Sequence, residues 1–257
     1  MPIKIIVASP PEYTSVAARP GCAVAHMSYR IGRGFRLYRS QRAGNAKDGL
    51  MVLDVGGWTG GGPLMSLVDD VMRECFQRDF VGIVINIGTY TKPESVLSNL
   101  SKALASASRD RGLSYFVPEF LSDSGENAIV RVSASISGGT LTRHISDAVK
   151  KYGTDRIAVE VDRVCMDFAL PSPLGIGQDL SVDELRSLMN SRNPVSFFSP
   201  ELMTNYFTYR NDGVNRIVLY DNGESLRRKI TAAENAGVNH AFLFYPRIID
   251  VYDEIVP

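Results

Sequence analysis

The residues best suited to chemistry in this sequence are acidic and amide side chains that end or follow apolar runs. Asp54 lies in LMVLDV, Asn86 in VGIVINI and Glu160 in IAVEV, and Glu119 follows LSYFV and a proline. Two carboxylates that meet at one edge of a sheet can transfer protons as an acid and a base. A carboxylate inside an apolar strand can instead form an ion pair with an arginine.

Aromatic residues follow three of the same apolar runs. Trp58, the only tryptophan, comes after a Gly-Gly turn, Tyr90 follows VGIVINIGT, and Tyr245 ends AFLFY. Sugar rings present apolar C–H faces that pack well against aromatic rings, whose broad apolar surfaces favour such contacts. Trp58 and Tyr245 are therefore candidates for a stacking platform, and the alternative is that Trp58 simply covers the core.

The elements that must position these residues follow a regular alternation. Apolar, strand-like runs lie at 4–8, 23–27, 50–55, 81–87, 113–117, 128–136, 157–161 and 241–245, with helical periodicity at 65–78, 95–109, 142–152, 181–190 and 226–236. Such alternation predicts a parallel sheet covered on both faces. No Gly-rich phosphate loop follows the first strand, which argues against an open doubly wound sheet. We therefore predict an α/β fold, a (β/α)8 TIM barrel, as a single domain over residues 1–257.

Several segments resemble glycoside hydrolase family 18, the chitinase-like barrels. LDVGGW, at Leu53–Trp58, is similar to that family's strand-three signature, and 80–88 falls where the family carries Asp-Gly-x-Asp-x-Asp-x-Glu. The C-terminal stretch keeps the family's order of residues at Tyr220, Asp221, Ser225, Lys229, Ala236, Gly237, Tyr245 and Asp250. The resemblance covers about 50–161 and 217–250.

The fourth strand departs from that family's catalytic motif. Its five motif positions hold Val81, Gly82, Val84, Asn86 and Gly88, and only the glycine at 82 is kept. The resemblance implies that the residue at 88 should protonate the leaving oxygen and that the residue at 86 should orient the substrate's acetamido group. Glycine donates no proton, and general acid help is worth about 10²–10⁴-fold. The resemblance therefore implies a pseudoenzyme that binds carbohydrate, or serves an assembly, with Asn86, Gly88, Trp58, Tyr90, Glu119 and Tyr245 as ligand-binding candidates.

Two alternatives stay open beside a non-catalytic barrel. An active glycosidase on an N-acetylated glycan, of chitin or peptidoglycan type, would need relocated carboxylates among Asp54, Glu119 and Glu160. Against that, Arg156 and Arg163 are close enough in sequence to hold Glu160 in a structural ion pair. The third hypothesis is a structural or interaction subunit whose protein partner binds 197–209, an aromatic segment expected to form a lid or helix over one barrel face.

Composition excludes several other classes. Twenty-eight basic and 28 acidic residues give zero net charge, which argues against nucleic acid as the main partner, and no apolar run approaches a membrane span.

The arginines between Arg30 and Arg42 recur every third residue, a pattern typical of a solvated face or loop. Scattered cysteines and histidines lead us to expect no metal and no cofactor. The N-terminus lacks a signal-peptide pattern, so we expect a soluble, cytoplasmic protein or one built into a larger assembly inside the cell.

Overall fold

The computed structural model describes residues 2–32, 35–42, 46–56, 62–88, 94–172 and 175–256. Its strands are β1 (Lys4–Ser9), β2 (Cys22–Gly32), β3 (Arg36–Arg39), β4 (Leu50–Asp54), β5 (Gly82–Asn86), β6 (Ser114–Pro118), β7 (Ala128–Ser133), β8 (Ile157–Glu160), β9 (Cys165–Leu170), β10 (Gln178–Asp179), β11 (Phe197–Ser199), β12 (Thr204–Asn211), β13 (Val214–Tyr220) and β14 (His240–Phe244). Its α-helices are α1 (Thr14–Ala17), α2 (Leu64–Gln77), α3 (Glu94–Asp110), α4 (Leu141–Tyr152), α5 (Val182–Arg192), α6 (Gly223–Asn235) and α7 (Tyr252–Ile255).

Eight parallel strands close into a barrel. Around its wall the order is β1, β2, β4, β5, β6, β7, β8 and β14, and β14 pairs with β1 to complete the circle. Each of the eight strands predicted from the sequence is one of these barrel strands. The prediction of a (β/α)8 TIM barrel is confirmed.

Alternating side chains build one core inside the barrel and another around it. The inner core consists of Ile6, Ala25, Leu50, Val52, Val84, Phe116, Ala158 and Phe242. Strand β5 shows the division, since Val84 belongs to the inner core, whereas Ile83 and Ile85 pack against the outer layer. The period of two in VGIVINI predicts that Val84, Asn86 and Gly88 point into the barrel. The structure places Val84 and Asn86 on the inner face, whereas β5 ends before Gly88.

The connections around the barrel are unequal in length and type. Long helices follow β4, β5 and β7, whereas β2 runs on into an antiparallel hairpin with β3, and β6 leads into a short 3₁₀ segment, Glu119–Ser124. Strand β2 is 11 residues long, and its last two residues pair only with β3. The hairpin therefore projects beyond the rim of the barrel.

The stretch between β8 and α6 forms a second, antiparallel sheet that the sequence analysis did not predict, although the helix predicted at 181–190 is present as α5. The order of its strands is β10-β9-β13-β12-β11. The aromatic segment 197–209, expected as a lid or helix, contributes β11 and most of β12. The missed signal is the two-residue turn Asp212-Gly213, where both residues have positive φ and a hairpin is favoured. Whether 197–209 binds a protein partner stays a prediction.

A buried ion pair ties this sheet to the barrel's last helix. Lys229 of α6 is 1% exposed, and its Nζ lies 2.6 Å from Asp221 Oδ2. Asp221 also accepts hydrogen bonds from Thr204 Oγ1 at 2.5 Å, Ser225 Oγ at 2.9 Å and the Val164 N–H at 2.9 Å. These partners come from β12, from α6 and from the residue before β9, so one carboxylate joins three segments.

Candidate functional site

A cleft opens at the carboxyl ends of the barrel strands, where barrels of this type carry their ligand sites. Its outer part, about 570 Å³, is lined by Met27, Ser28, Tyr29, Arg30, Tyr38, Arg39, Ser40, Gln41, Val52, Asp54 and Asn86. Its inner part, about 230 Å³, is lined by Ala8, Met27, Val52, Val84, Asn86, Arg131, Glu160, Asp162, Phe242, Leu243 and Phe244. Because Met27, Val52 and Asn86 line both parts, we treat them as one mouth cleft.

Asn86 lies at the centre of the mouth cleft. It is the last residue of β5, is half-buried, and lines both the outer and the inner part. Its amide can donate two hydrogen bonds and accept others, which suits the hydroxyl and acetamido groups of a sugar. The structure therefore brings Asn86 to the position that the sequence predicts.

Asp54 and Gly88 are neighbours at the rim. Asp54 ends β4 opposite Asn86, and its Oδ1 accepts a hydrogen bond from the Gly56 N–H at 2.9 Å. Strand β5 stops at Asn86, and Gly88 turns away with φ +44°. A Cβ atom at position 88 would meet Asp54 Oδ1 at 3.6 Å. An acidic side chain thus stands beside position 88, but its oxygen is engaged by the turn that follows β4.

Glu160 forms an ion pair with Arg131 on the inner wall of the barrel. Arg131 Nη1 donates to Glu160 Oε1, and Arg131 Nη2 donates to the Ile85 carbonyl. Burial raises the pKa of Glu160, while the Arg131 guanidinium works against that shift and Asp162 adds to it. One oxygen of the Glu160 carboxylate, Oε1, is therefore bound to Arg131.

The sequence predicted the ion pair of Glu160 but not its partner. Arg163 instead donates to both carboxylate oxygens of Asp250, and Arg156 donates to the carbonyls of Ala128 and Gly125. Arg156 precedes β8 and Arg163 follows it, so neither arginine lies on the strand that carries Glu160, and both bind other groups. The expectation that Arg156 or Arg163 would hold Glu160 is therefore wrong.

Two other predicted site residues lie away from the mouth cleft. Glu119 is exposed, and its Oε1 accepts hydrogen bonds from Tyr152 OH at 2.9 Å and Lys151 Nζ at 3.4 Å, at the end of α4. Tyr245 is buried in the outer core, with ring centroids 5.6 Å from Tyr13 and 5.0 Å from Tyr252. The structure does not bring either residue together with Asp54 and Glu160.

Trp58 and Tyr90 lie outside the described residues, so their part in a ligand site stays a prediction. The aromatic surface that the structure does place on the inner wall comes from Phe242 and Phe244 of β14. Phe242 packs edge-on against Phe116 at 5.1 Å and lies 5.7 Å below the Arg131 guanidinium, whereas Phe244 is half-buried at the cleft.

Arg131 and Phe244 line the cleft but were not predicted as site residues, although the alternation along their strands indicates that both point inward. In AIVRVS, the alternation that sends Val130 and Val132 outward sends Arg131 inward. In HAFLFY, the same rule puts Phe244 on the inner face and the following tyrosine outside. The alternation of inward and outward side chains that places Asn86 in β5 also places these two residues in β7 and β14.

Metal binding and membrane insertion find no support in the part of the chain that the structure describes. There, no three His, Cys, Asp or Glu side chains come together as ligands for an ion. Within the same residues, no helix has the length and apolar character needed to cross a membrane.

Comparison with solved structures identifies the same fold in known proteins. The C-terminal domain of a putative chitinase from Desulfitobacterium hafniense superposes with a TM-score of 0.71 at 12% identity, covering 100% of this chain and 97% of that one. The spore cortex-lytic enzyme SleL from Bacillus megaterium gives 0.68 at 12% identity, covering 100% and 75%. A family GH18 chitinase from Cycas revoluta, in complex with allosamidin, gives 0.66 at 12% identity, covering 98% of both chains. No family model and no curated protein matches the sequence. The chain therefore has the fold of the glycoside hydrolase family 18 chitinases.

Proposed function

We propose that this barrel binds a glycan in the mouth cleft without cleaving it. One observation carries the proposal: position 88 has no side chain, and the inward-facing acid of the wall, Glu160, is bound to Arg131. A glycosidase needs a positioned carboxylic acid that gives its proton to the leaving oxygen. Asp54 is engaged by the Gly56 N–H, so neither acid is poised for that role.

The chemistry of the mouth cleft suits a neutral sugar chain. Asn86 offers an amide for hydroxyl and acetamido groups, and Phe244 offers an aromatic surface for the apolar face of a ring. Ligand sites commonly combine such apolar walls with a few convergent polar groups. Among proteins of the same fold, a chitinase from Cycas revoluta has been solved in complex with (GlcNAc)4. We therefore choose N-acetylated oligosaccharides as the first ligands to test.

A second candidate, an active glycosidase, is favoured by two observations. Burial raises the pKa of Glu160, a shift that general acids require, and Asp54 Oδ1 lies 3.6 Å from the place of a Cβ at position 88. This candidate would use Asp54 and Glu160 as its carboxylates and would not involve Glu119. It requires Glu160 to leave Arg131 when substrate binds.

Calorimetric titration with chitotetraose tests the proposed binding. We expect Asn86→Ala and Phe244→Ala each to weaken binding about tenfold, because each removes a hydrogen-bonding or stacking group worth about 1–1.5 kcal/mol. Asn215→Ala and Phe76→Ala are matched controls, since both residues are exposed and neither lines the mouth cleft. Heat of binding that is absent for the wild type, or unchanged in both cleft variants, would overturn the proposal.

A further inference from the structure

The β2–β3 hairpin presents one face to the outer part of the mouth cleft. Arg30 pairs with Tyr38 across the hairpin and with Asp54 across the barrel strands. Residues directly opposite each other share a face. Since Tyr29 and Ile31 belong to the outer core, the face of Arg30 and Tyr38 is the one turned toward the cleft, which both residues line.

Tyr38 is held in place without being buried. A Cβ atom at its diagonal neighbour, Gly32, would lie 2.2 Å from Tyr38 Cε2, so the ring rests directly on the glycine backbone. The residue is nevertheless 45% exposed. An exposed ring on a rigid support is a surface on which a sugar can stack with little loss of side-chain entropy.

Arg30 is a cation without a partner within the described residues. It is exposed, and the structure gives it no hydrogen bond and no ion pair. Arg39, on the opposite face of the same hairpin, binds Glu74 Oε1 at 3.2 Å. Both arginines line the mouth cleft, but Arg39 is paired with Glu74, whereas Arg30 has no partner among the described residues and can bind a ligand.

We propose, building on the glycan-binding function, that this hairpin selects an acidic sugar. The sugar ring stacks on Tyr38, and a carboxylate on that sugar accepts two hydrogen bonds from the Arg30 guanidinium, whose planar fork matches a carboxylate. Asp54 repels an anion from the barrel rim and so directs the carboxylate toward the hairpin. The ligand class is an N-acetylated glycan that carries carboxylates.

The test compares two tetrasaccharides of equal length by calorimetry at low salt. One is chitotetraose, and the other is a peptide-free peptidoglycan tetrasaccharide, in which alternate sugars carry a lactyl carboxylate. We expect the wild type to bind the acidic sugar about tenfold more tightly, as a charge-assisted hydrogen bond allows. Methyl esterification of the lactyl group should abolish this preference.

Three variants separate the charge from the stacking surface. Arg30→Gln should weaken binding of the acidic tetrasaccharide about tenfold and so remove the preference for it, whereas chitotetraose, which has no carboxylate, should lose less affinity. Tyr38→Ala, or Gly32→Ala, which displaces the ring, should weaken both sugars several-fold. Arg73→Gln is the matched control, because this exposed arginine lies on the outer helix α2; it should behave as the wild type.

The outcomes distinguish this inference from the function on which it rests. Equal affinity for both sugars, or a preference that survives Arg30→Gln, overturns the acidic-sugar inference and leaves glycan binding intact. Failure to bind either tetrasaccharide overturns both. A preference for the lactyl sugar that persists after esterification also contradicts a role for the carboxylate.

Discussion

Arg131 and Glu160 are the charged pair on which the inner wall of the barrel depends. The Arg131 side chain is 11% exposed and the Glu160 side chain 31% exposed, so neither is fully solvated. Burying such a pair gains little net stability, but removing one member leaves a charge without its partner. The pair therefore fixes the shape and charge of the cleft wall next to Asn86.

We predict that Arg131→Met lowers the free energy of unfolding by about 2–3 kcal/mol, somewhat less than for a fully buried pair, because Glu160 keeps some contact with solvent. The double variant Arg131→Met/Glu160→Gln should be more stable than the single one, since no unpaired charge remains. Denaturant unfolding measures both. A double variant that is less stable than Arg131→Met would contradict this role for the pair.

His240 should make the protein sensitive to acid. Burial lowers the pKa of His240, with Lys4 adding to the effect, and no described residue forms a hydrogen bond with its Nδ1. The folded pKa therefore lies below the ordinary histidine value of about 6.5, so the unfolded chain takes up the proton first. Stability should fall as the pH drops from about 6.5 through the folded pKa, because more protons are bound in the unfolded state.

Replacing His240 by Phe should reduce this slope of unfolding free energy against pH. Thermal or denaturant unfolding between pH 7 and pH 5 gives the comparison. Some slope should remain, since burial also lowers the pKa of His26. An unchanged slope in the His240→Phe variant would show that His240 does not contribute.

Where buried and exposed positions alternate strictly along a strand, the sequence predicts which side chains point into the barrel. It does not predict which charged side chains form ion pairs with each other. The pattern VGIVINI was enough to place Val84 and Asn86 inside the barrel. Arg131 and Glu160 are 29 positions apart, and only the closure of β7 against β8 brings them together. Choosing a partner by closeness in sequence therefore gave the wrong arginine.

At the scale of elements, the antiparallel sheet depends on the buried Asp221–Lys229 pair. Lys229→Met would leave Asp221 buried without its cation, and breaking such a pair typically costs about 3–5 kcal/mol. We predict a loss of that size on denaturant unfolding. Amide hydrogen exchange should also quicken in β12, because Thr204 at its start donates to Asp221.

The matched comparison for this prediction is Lys150→Met. Lys150 is exposed on α4 and pairs with Asp147 at 3.4 Å. Exposed pairs contribute about 0–1 kcal/mol, so this variant should be close to the wild type. Equal effects of the two substitutions would show that burial of the Lys229 pair does not matter.

Element prediction succeeded in the barrel and failed in the inserted sheet for a physical reason. Barrel strands are buried on both faces, so they form apolar runs that stand out from the helices. Strands β12 and β13 are half exposed, since the residues on either side of the buried Phe207 and Val218 are partly or fully exposed. The sequence of such strands is also compatible with a helix or a loop. Recognising the Asp212-Gly213 turn is what identifies them as a hairpin.

At the scale of the whole molecule, the chain has the fold of solved chitinases, but four of the five positions aligned with the chitinase motif hold other residues. The match to solved chitinases covers nearly the whole chain at 12–13% identity. A barrel of this kind depends on apolar alternation and strand closure, which many sequences satisfy. Catalysis, in contrast, depends on individual side chains at the strand ends. At position 88, where the resemblance leads us to expect a proton-donating acid, the residue is a glycine.

Two features outside the barrel strands were not predicted from the sequence, and one of them, the β2–β3 hairpin, lines the mouth cleft. The β2–β3 hairpin projects beyond the rim beside Asp54, and the five-stranded sheet is inserted at the carboxyl end of β8. Under the proposed function, the mouth cleft around Asn86 binds the glycan. The missing side chain at position 88 is the reason we propose that this glycan is not cleaved.

Mass spectrometry of chitotetraose and peptidoglycan fragments after long incubation with the purified protein tests the central claim most directly. Our account predicts that the oligosaccharides bind and are recovered at full length. Shorter products that form faster than in buffer alone would contradict it and would identify Asp54 and Glu160 as the first residues to test for catalysis.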